Sequence, residues 1–199
     1  IDSAGKKYQS YSFTYDLFGN CTKTMVGGRT LATNSYENHK LLSEVVYGNG
    51  SGVFYSYDAL GRMESRDNLQ WSESYAYDAN GRIARLHAEK GTQVRDIHYE
   101  YDTLGRLIYS VETNEEKEIV RYTATEYDSK NRVSQYSYLD GKEARTESYT
   151  YNEEDGTIKS YTVSNGDKIA VDYDALNRVS KKSVTLSGSS SPAYEVQVS

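Results

Sequence analysis

One cysteine, one proline and two methionines occur in 199 residues, and no long apolar run is present. With Cys21 alone, an intramolecular disulfide is excluded, so a secreted or surface setting would have to be managed without that staple, and only intermolecular pairing stays open. A single proline leaves long strands uninterrupted. The apolar runs fall far short of the roughly 18 residues needed to cross a bilayer as a helix, so no membrane insertion is predicted. There is no signal-peptide pattern either. The opening at Ile1, inside a polar segment, reads as an excised piece of a longer chain whose targeting information lies elsewhere. A net charge of -6 and a pI near 5.2, with no basic stripe, argue against a nucleic-acid partner. Leu, Ile, Val and Phe together supply 36 of the 199 residues. That is about 18%, under the roughly 20% that marks disorder in strongly charged chains.

Tyrosine fills the gap, with 21 copies against three of Phe and one of Trp. Its placement is repetitive. Tyr57-Asp58-Ala59-Leu60-Gly61-Arg62 recurs as Tyr77-Asp78-Ala79-Asn80-Gly81-Arg82 and as Tyr101-Asp102-Thr103-Leu104-Gly105-Arg106. Tyr127-Asp128-Ser129-Lys130-Asn131-Arg132 and Tyr173-Asp174-Ala175-Leu176-Asn177-Arg178 put Asn where Gly stood, and Tyr15-Asp16-Leu17-Phe18-Gly19-Asn20 lacks only the Arg. Tyr36-Glu37-Asn38-His39-Lys40 and Tyr151-Asn152-Glu153-Glu154-Asp155-Gly156 are worn copies. The eight tyrosines are spaced by 20 to 26 residues, within the range of solenoids and arrays.

Asp at the first and Gly at the fourth position suit a type I turn, and Gly there takes positive φ in the bulged form of a hairpin loop. Asn131 and Asn177 fit the same geometry, because Asn tolerates the left-handed region. Alternating residues such as Tyr55-Ser56-Tyr57, Tyr75-Ala76-Tyr77, Tyr99-Glu100-Tyr101 and Tyr149-Thr150-Tyr151 enter each turn, and an aliphatic residue (Met63, Ile83, Leu107, Val133, Val179) follows it. Period-two aromatics lie on one face of a strand. The fold class read from this is all-β: an elongated, twisted, open ribbon of stacked antiparallel hairpins. Eight hairpins give about sixteen strands. Residues 1–186 form the array; residues 187–199, beginning Ser187-Gly188-Ser189, form a Ser-rich linker and a terminal strand or frayed tail.

With Tyr-Asp-x-x-Gly-Arg in place, the chain resembles the YD-repeat, or Rhs-repeat, family of bacterial Rhs and wall-associated proteins, toxin-complex shell subunits and teneurins, over roughly residues 8 to 185. The resemblance implies a segment of a secreted or cell-surface shell that encloses a C-terminal, often toxic, polypeptide of the parent chain. No Rhs core motif and no self-cleaving aspartate site are seen downstream of the repeats, so no inherited proteolysis is expected.

The Asp and Arg of each repeat invite a catalytic reading, but catalysis needs one special constellation rather than five similar ones. A structural role is preferred: Asp accepts the turn's backbone N–H groups, and Arg lies over a tyrosine of the adjacent hairpin. The residues assigned to this turn motif are Tyr15, Asp16, Gly19, Tyr57, Asp58, Gly61, Arg62, Tyr77, Asp78, Gly81, Arg82, Tyr101, Asp102, Gly105, Arg106, Tyr127, Asp128, Asn131, Arg132, Tyr173, Asp174, Asn177 and Arg178. Tyrosine hydroxyls are expected to meet water or a polar partner, and the rings to cover one another in ladders. His39, His87 and His98 lie in different repeats without metal-ligand spacing, and the Asp turns lack the nonapeptide of calcium-binding β-rolls. Hence no catalytic residue, metal or cofactor is predicted. Asn20-Cys21-Thr22 and Asn49-Gly50-Ser51 match the glycosylation acceptor pattern and matter only in a eukaryotic source. The competing function is adhesive, with Tyr55, Tyr75, Tyr99 and Tyr149 as a platform for glycans or a protein partner. Self-association through unpaired edge strands is also anticipated.

Overall fold

The computed structural model describes residues 10–198; Ser199 and the first nine residues of the predicted array lie outside them. The described residues are all β: seventeen strands in an antiparallel sheet that is not closed. Two compact units divide it, one running to Ile97 and including Asn114–Glu116, the other comprising His98–Thr113 and the residues from Lys117 onward.

The first unit holds β1 (Tyr11–Tyr15), β2 (Cys21–Val26), β3 (Arg29–Glu37), β4 (Leu41–Tyr47), β5 (Gly52–Tyr57), β6 (Met63–Asp67), β7 (Ser72–Tyr77) and β8 (Ile83–Lys90), each paired with the next. The division falls inside β9 (Gln93–Tyr101). The second unit continues with β10 (Leu107–Thr113), β11 (Ile119–Tyr127), β12 (Val133–Asp140), β13 (Glu143–Tyr151), β14 (Ile158–Val163), β15 (Lys168–Tyr173), β16 (Val179–Thr185) and β17 (Tyr194–Gln197), again in sequential pairs. Eight repeat hairpins, six of them with a Tyr-Asp turn, account for sixteen strands. The seventeenth comes from the tail, where Tyr194–Gln197 pairs with β16.

Each hairpin is set by its turn. Gly61 N donates to Asp58 O at 2.9 Å and Asp58 N to Arg62 O at 2.9 Å, and the same two bonds recur at Asp78, Asp102, Asp128 and Asp174. The fourth residue is left-handed whether it is Gly81 (φ 80°) or Asn131 (φ 64°). One extra residue is taken up beside the tyrosine, so the register shifts between Ser56 and Tyr57 and equally between Glu126 and Tyr127.

Little of the chain is dry. Among the described residues the buried hydrophobic side chains are Val53, Ala88 and Val171, and no large side chain is fully buried. The strand register separates two kinds of face in the second unit. Tyr136, Tyr138, Arg145, Glu147, Tyr149 and Tyr161 share one. Ser137, Thr146, Ser148, Thr150, Ser160 and Thr162 share the other, where hydroxyls bond across strands, Ser137 to Thr146 at 2.9 Å and Thr150 to Ser160 at 2.8 Å. Such cross-strand pairs are the unit of sheet stabilisation and require no deep core.

Candidate functional site

The repeated feature with specific chemistry is the Tyr-Asp turn and its junction with the next hairpin. Asp58 Oδ1 accepts the N–H groups of Leu60 (2.9 Å) and Arg62 (3.0 Å), while Oδ2 accepts Arg62 Nε (2.7 Å) and Nη2 (2.7 Å). The arrangement recurs at Asp102 with Arg106, Asp128 with Arg132 and Asp174 with Arg178. Asp78 holds Arg82 through its N–H (2.9 Å) and Nε (2.7 Å). At the turn lacking arginine, Asn20 stands in: its Nδ2 donates to Asp16 Oδ2 at 2.8 Å and to His39 O at 2.7 Å. This acceptor-pattern asparagine is therefore occupied.

Held flat by its own aspartate, the guanidinium covers the tyrosine of the next hairpin. Arg62 lies 4.3 Å from the Tyr77 ring centre, Arg106 3.8 Å from Tyr127 and Arg132 4.3 Å from Tyr151. Two of these tyrosines, Tyr77 and Tyr151, and three others at the same repeat position carry a second link, one that the residue pattern does not disclose. Tyr77 donates its hydroxyl to Met63 O (2.6 Å), Tyr151 to Val133 O (2.6 Å), Tyr57 to Leu42 O (2.8 Å), Tyr173 to Ile158 O (3.0 Å) and Tyr36 to Cys21 O (3.1 Å). The acceptor is the backbone of the preceding hairpin, not water. Phe at these positions would keep the ring and lose the bond. Asn131 adds a third link by accepting Arg106 Nη1 at 3.0 Å.

The electrostatics follow from this bonding. The Arg62 backbone N–H, joined by its guanidinium and by Leu60 N–H, holds the Asp58 carboxyl below the usual carboxylate range, and Asp78, Asp128 and Asp174 are lowered in the same way. At Asp102 partial desolvation pushes upward, but the Arg106 N–H and guanidinium outweigh it. A carboxylate so depressed and so fully bonded is a poor base at neutral pH. The turn fastens; it has no reactive atom left over.

The four platform tyrosines are half-buried. Tyr55 faces Arg66 across β5 and β6, and Arg66 Nη1 and the Tyr75 hydroxyl both donate to Glu73 Oε2, at 3.3 and 2.8 Å. Loss of water contact, then this bond to Glu73, pushes the Tyr75 phenol up to about 12. Tyr149 is raised likewise by desolvation and by its short hydrogen bond to Glu147. Tyr149 and Tyr161 lie 5.8 Å apart, Tyr136 and Tyr138 5.6 Å, and Tyr109 and Tyr122 6.1 Å. The repeat tyrosines Tyr77, Tyr127 and Tyr151 are covered by guanidinium instead. Tyr99 is half-buried in β9.

His39 packs its ring 4.2 Å from Phe18, and His87 lies 3.7 Å from Asp96, whose carboxylate is held by Arg85 Nε at 2.7 Å. Among the described residues no group of three His, Cys, Asp or Glu side chains is placed to hold a metal ion, and no helix is long and apolar enough to cross a membrane.

Residues 77–117 match the RHS repeat. No relative was found among curated proteins. Among solved structures, the chain is similar to TcdB2-TccC3, with a TM-score of 0.66 and 12% identity over 94% of this chain and 11% of that one. Similar too are TcdB2-TccC3 without its hypervariable C-terminal region (TM-score 0.64, 12% identity, 89% of this chain and 10% of that one) and TcdB2-TccC3-Cdc42 (0.61, 14%, 92% and 12%). The chain thus spans about a tenth of the length of these chains. A recurrent Tyr-Asp turn, a family match that takes in two of its copies and a shared fold agree: the chain carries an RHS repeat at residues 77–117 and has the fold of the matching stretch of TcdB2-TccC3.

Proposed function

We propose that the chain is a wall segment of a secreted or cell-surface shell that encloses a C-terminal, toxin-like polypeptide of its own parent protein and performs no chemistry itself. The observation that carries this reading is the recurrence of one junction, Arg over Tyr and Tyr hydroxyl on backbone carbonyl, in both units. A wall needs every junction to be alike, whereas an active site needs one to differ. Similarity to TcdB2-TccC3 across 94% of the chain supports it. The test is limited proteolysis of the parent protein: the polypeptide downstream of the repeats should survive protease while the array is intact, and be digested once the array is destabilised by Asp128→Ala. Equal digestion in both would overturn the reading.

A second reading, adhesion to glycans or a protein, draws support from a depression of about 430 Å³ among Tyr127, Val133, Tyr136, Tyr149, Tyr151 and Ile158. It requires hits on a glycan array that Tyr149→Ala abolishes. An array without hits removes the glycan form of it.

A further inference from the structure

The junction has two halves. One is an incoming tyrosine. The other is an arginine leashed to its turn aspartate, followed by a backbone carbonyl. Arg62, Arg106 and Arg132 each have the ring in place, and their side chains are 32, 29 and 21% exposed. Arg178 is leashed identically, with Nε and Nη2 both 2.7 Å from Asp174 Oδ2, yet it is 72% exposed. Among the described residues no ring lies under it, and no tyrosine hydroxyl meets the carbonyl of Val179. The arginine half of a junction is complete here.

Strand register fixes where the other half belongs. In five junctions the acceptor carbonyls are those of Cys21, Leu42, Met63, Val133 and Ile158. Two residues beyond each lie Lys23, Glu44, Ser65, Gln135 and Ser160, which pair with Thr33, Phe54, Ser74, Ser148 and Ala170. In all five, the donating tyrosine (Tyr36, Tyr57, Tyr77, Tyr151, Tyr173) lies three residues past that partner. Lys181, two beyond Val179, pairs with Gln197, and Val198 N holds Ser180 O at 2.8 Å. Thus β17 occupies the place of an incoming first strand, already in register.

We infer that Arg178 and the Val179 carbonyl form a binding site for a tyrosine side chain, delivered in cis by a strand that continues β17 and carries that tyrosine three residues beyond Gln197, at the head of a Tyr-Asp turn. The guanidinium takes the face of the ring and the carbonyl takes the hydroxyl, so the site selects Tyr over Phe and rejects Ala. The inference rests on register and exposure alone and stands whether or not the array belongs to a shell.

The test extends the full chain past Ser199 with a copy of residues 57–67, which puts a tyrosine at the required position, and compares it with extensions that begin with Phe or Ala. Phenylglyoxal labelling of Arg178, read by mass spectrometry, and thermal melting are the readouts. With tyrosine, Arg178 should label about threefold more slowly, approaching the arginines that already cover a ring, and the melting temperature should rise. Phe should protect without the full thermal gain, Ala should do neither, and Arg178→Ala should erase the thermal difference between the Tyr and Ala extensions. Unchanged labelling with tyrosine, or equal protection by Ala, would overturn the inference. Protection that grows with protein concentration alongside dimers in light scattering would also overturn it, by assigning the site to a second copy.

Discussion

The two ends of a hairpin are built differently. At the Tyr-Asp end, side chains reach across to the neighbouring hairpin: Arg132 covers Tyr151, and Tyr151 bonds Val133. At the connector end, bonds mostly close on themselves. Asn49 Oδ1 accepts Ser51 N, Asn68 Oδ1 accepts Trp71 N, Asn165 Oδ1 accepts Asp167 N, and Arg145 pairs with Glu143 two residues away. A self-contained connector can change length without disturbing its neighbours, since loop closure depends only weakly on length. A cross-linked turn cannot. The spacing of 20 to 26 residues between repeat tyrosines follows from this division of labour.

The sharpest way to break the comparison is to remove an acid from each end. Asp128→Ala frees two backbone N–H groups and unleashes Arg132, so it should lower the melting temperature more than loss of a single arginine or tyrosine hydroxyl. Asp140→Ala, at a connector, should leave the melting temperature nearly unchanged. Equal effects would abolish the distinction. Next in size, Arg132→Ala should cost about 1 to 2 kcal/mol in denaturant unfolding, while Arg178→Ala should stay within about 0.5 kcal/mol. Both arginines are bonded to their own aspartate, so the contrast reports chiefly the ring, beside the 4.0 Å pairing of Arg132 with the exposed Glu153. Tyr151→Phe keeps the ring and deletes the bond to Val133, at an expected cost of about 1 kcal/mol.

Titration distinguishes the elements by pH. The turn aspartates are lowered in the folded state, so the stability they contribute is present above their unfolded value near 3.9 and lost as pH falls through the folded values. Denaturant midpoints should therefore be level near neutrality and drop below about pH 4. Asp128→Ala should flatten that drop. Tyr75 is raised to about 12, so its contribution is complete below pH 10 and lost as pH rises towards 12. Tyr75→Phe should blunt the alkaline loss and leave the acid limb unchanged.

Much of the turn was legible in the residues because its signal is local. Asp-x-x-Gly and Asp-x-x-Asn each spell a four-residue geometry, and alternating tyrosines spell the strand that enters it. What lies between hairpins was less so. The leash from Asp58 to Arg62 depends on rotamers, and the Tyr77 bond to Met63 depends on register across two strands, which no local pattern encodes. Asn20 as a substitute for arginine and Asn131 as an acceptor for Arg106 are visible only once the partner hairpin is in place. The Ser and Thr face around Ser137 and Ser160 carried no signal beyond polarity, because small hydroxyl residues are equally at home in loops. Nor did the low aliphatic content foretell disorder, since the sheet is held by junctions that need little dry volume.

The central claim is that hairpins are fastened to one another by the arginine and tyrosine of successive repeats. A double-mutant cycle on Arg132→Ala and Tyr151→Leu measures it most directly. The account predicts a coupling of about 0.5 to 2 kcal/mol between the two positions, and none between Arg178→Ala and Tyr151→Leu. Strict additivity at Arg132 and Tyr151 would contradict it.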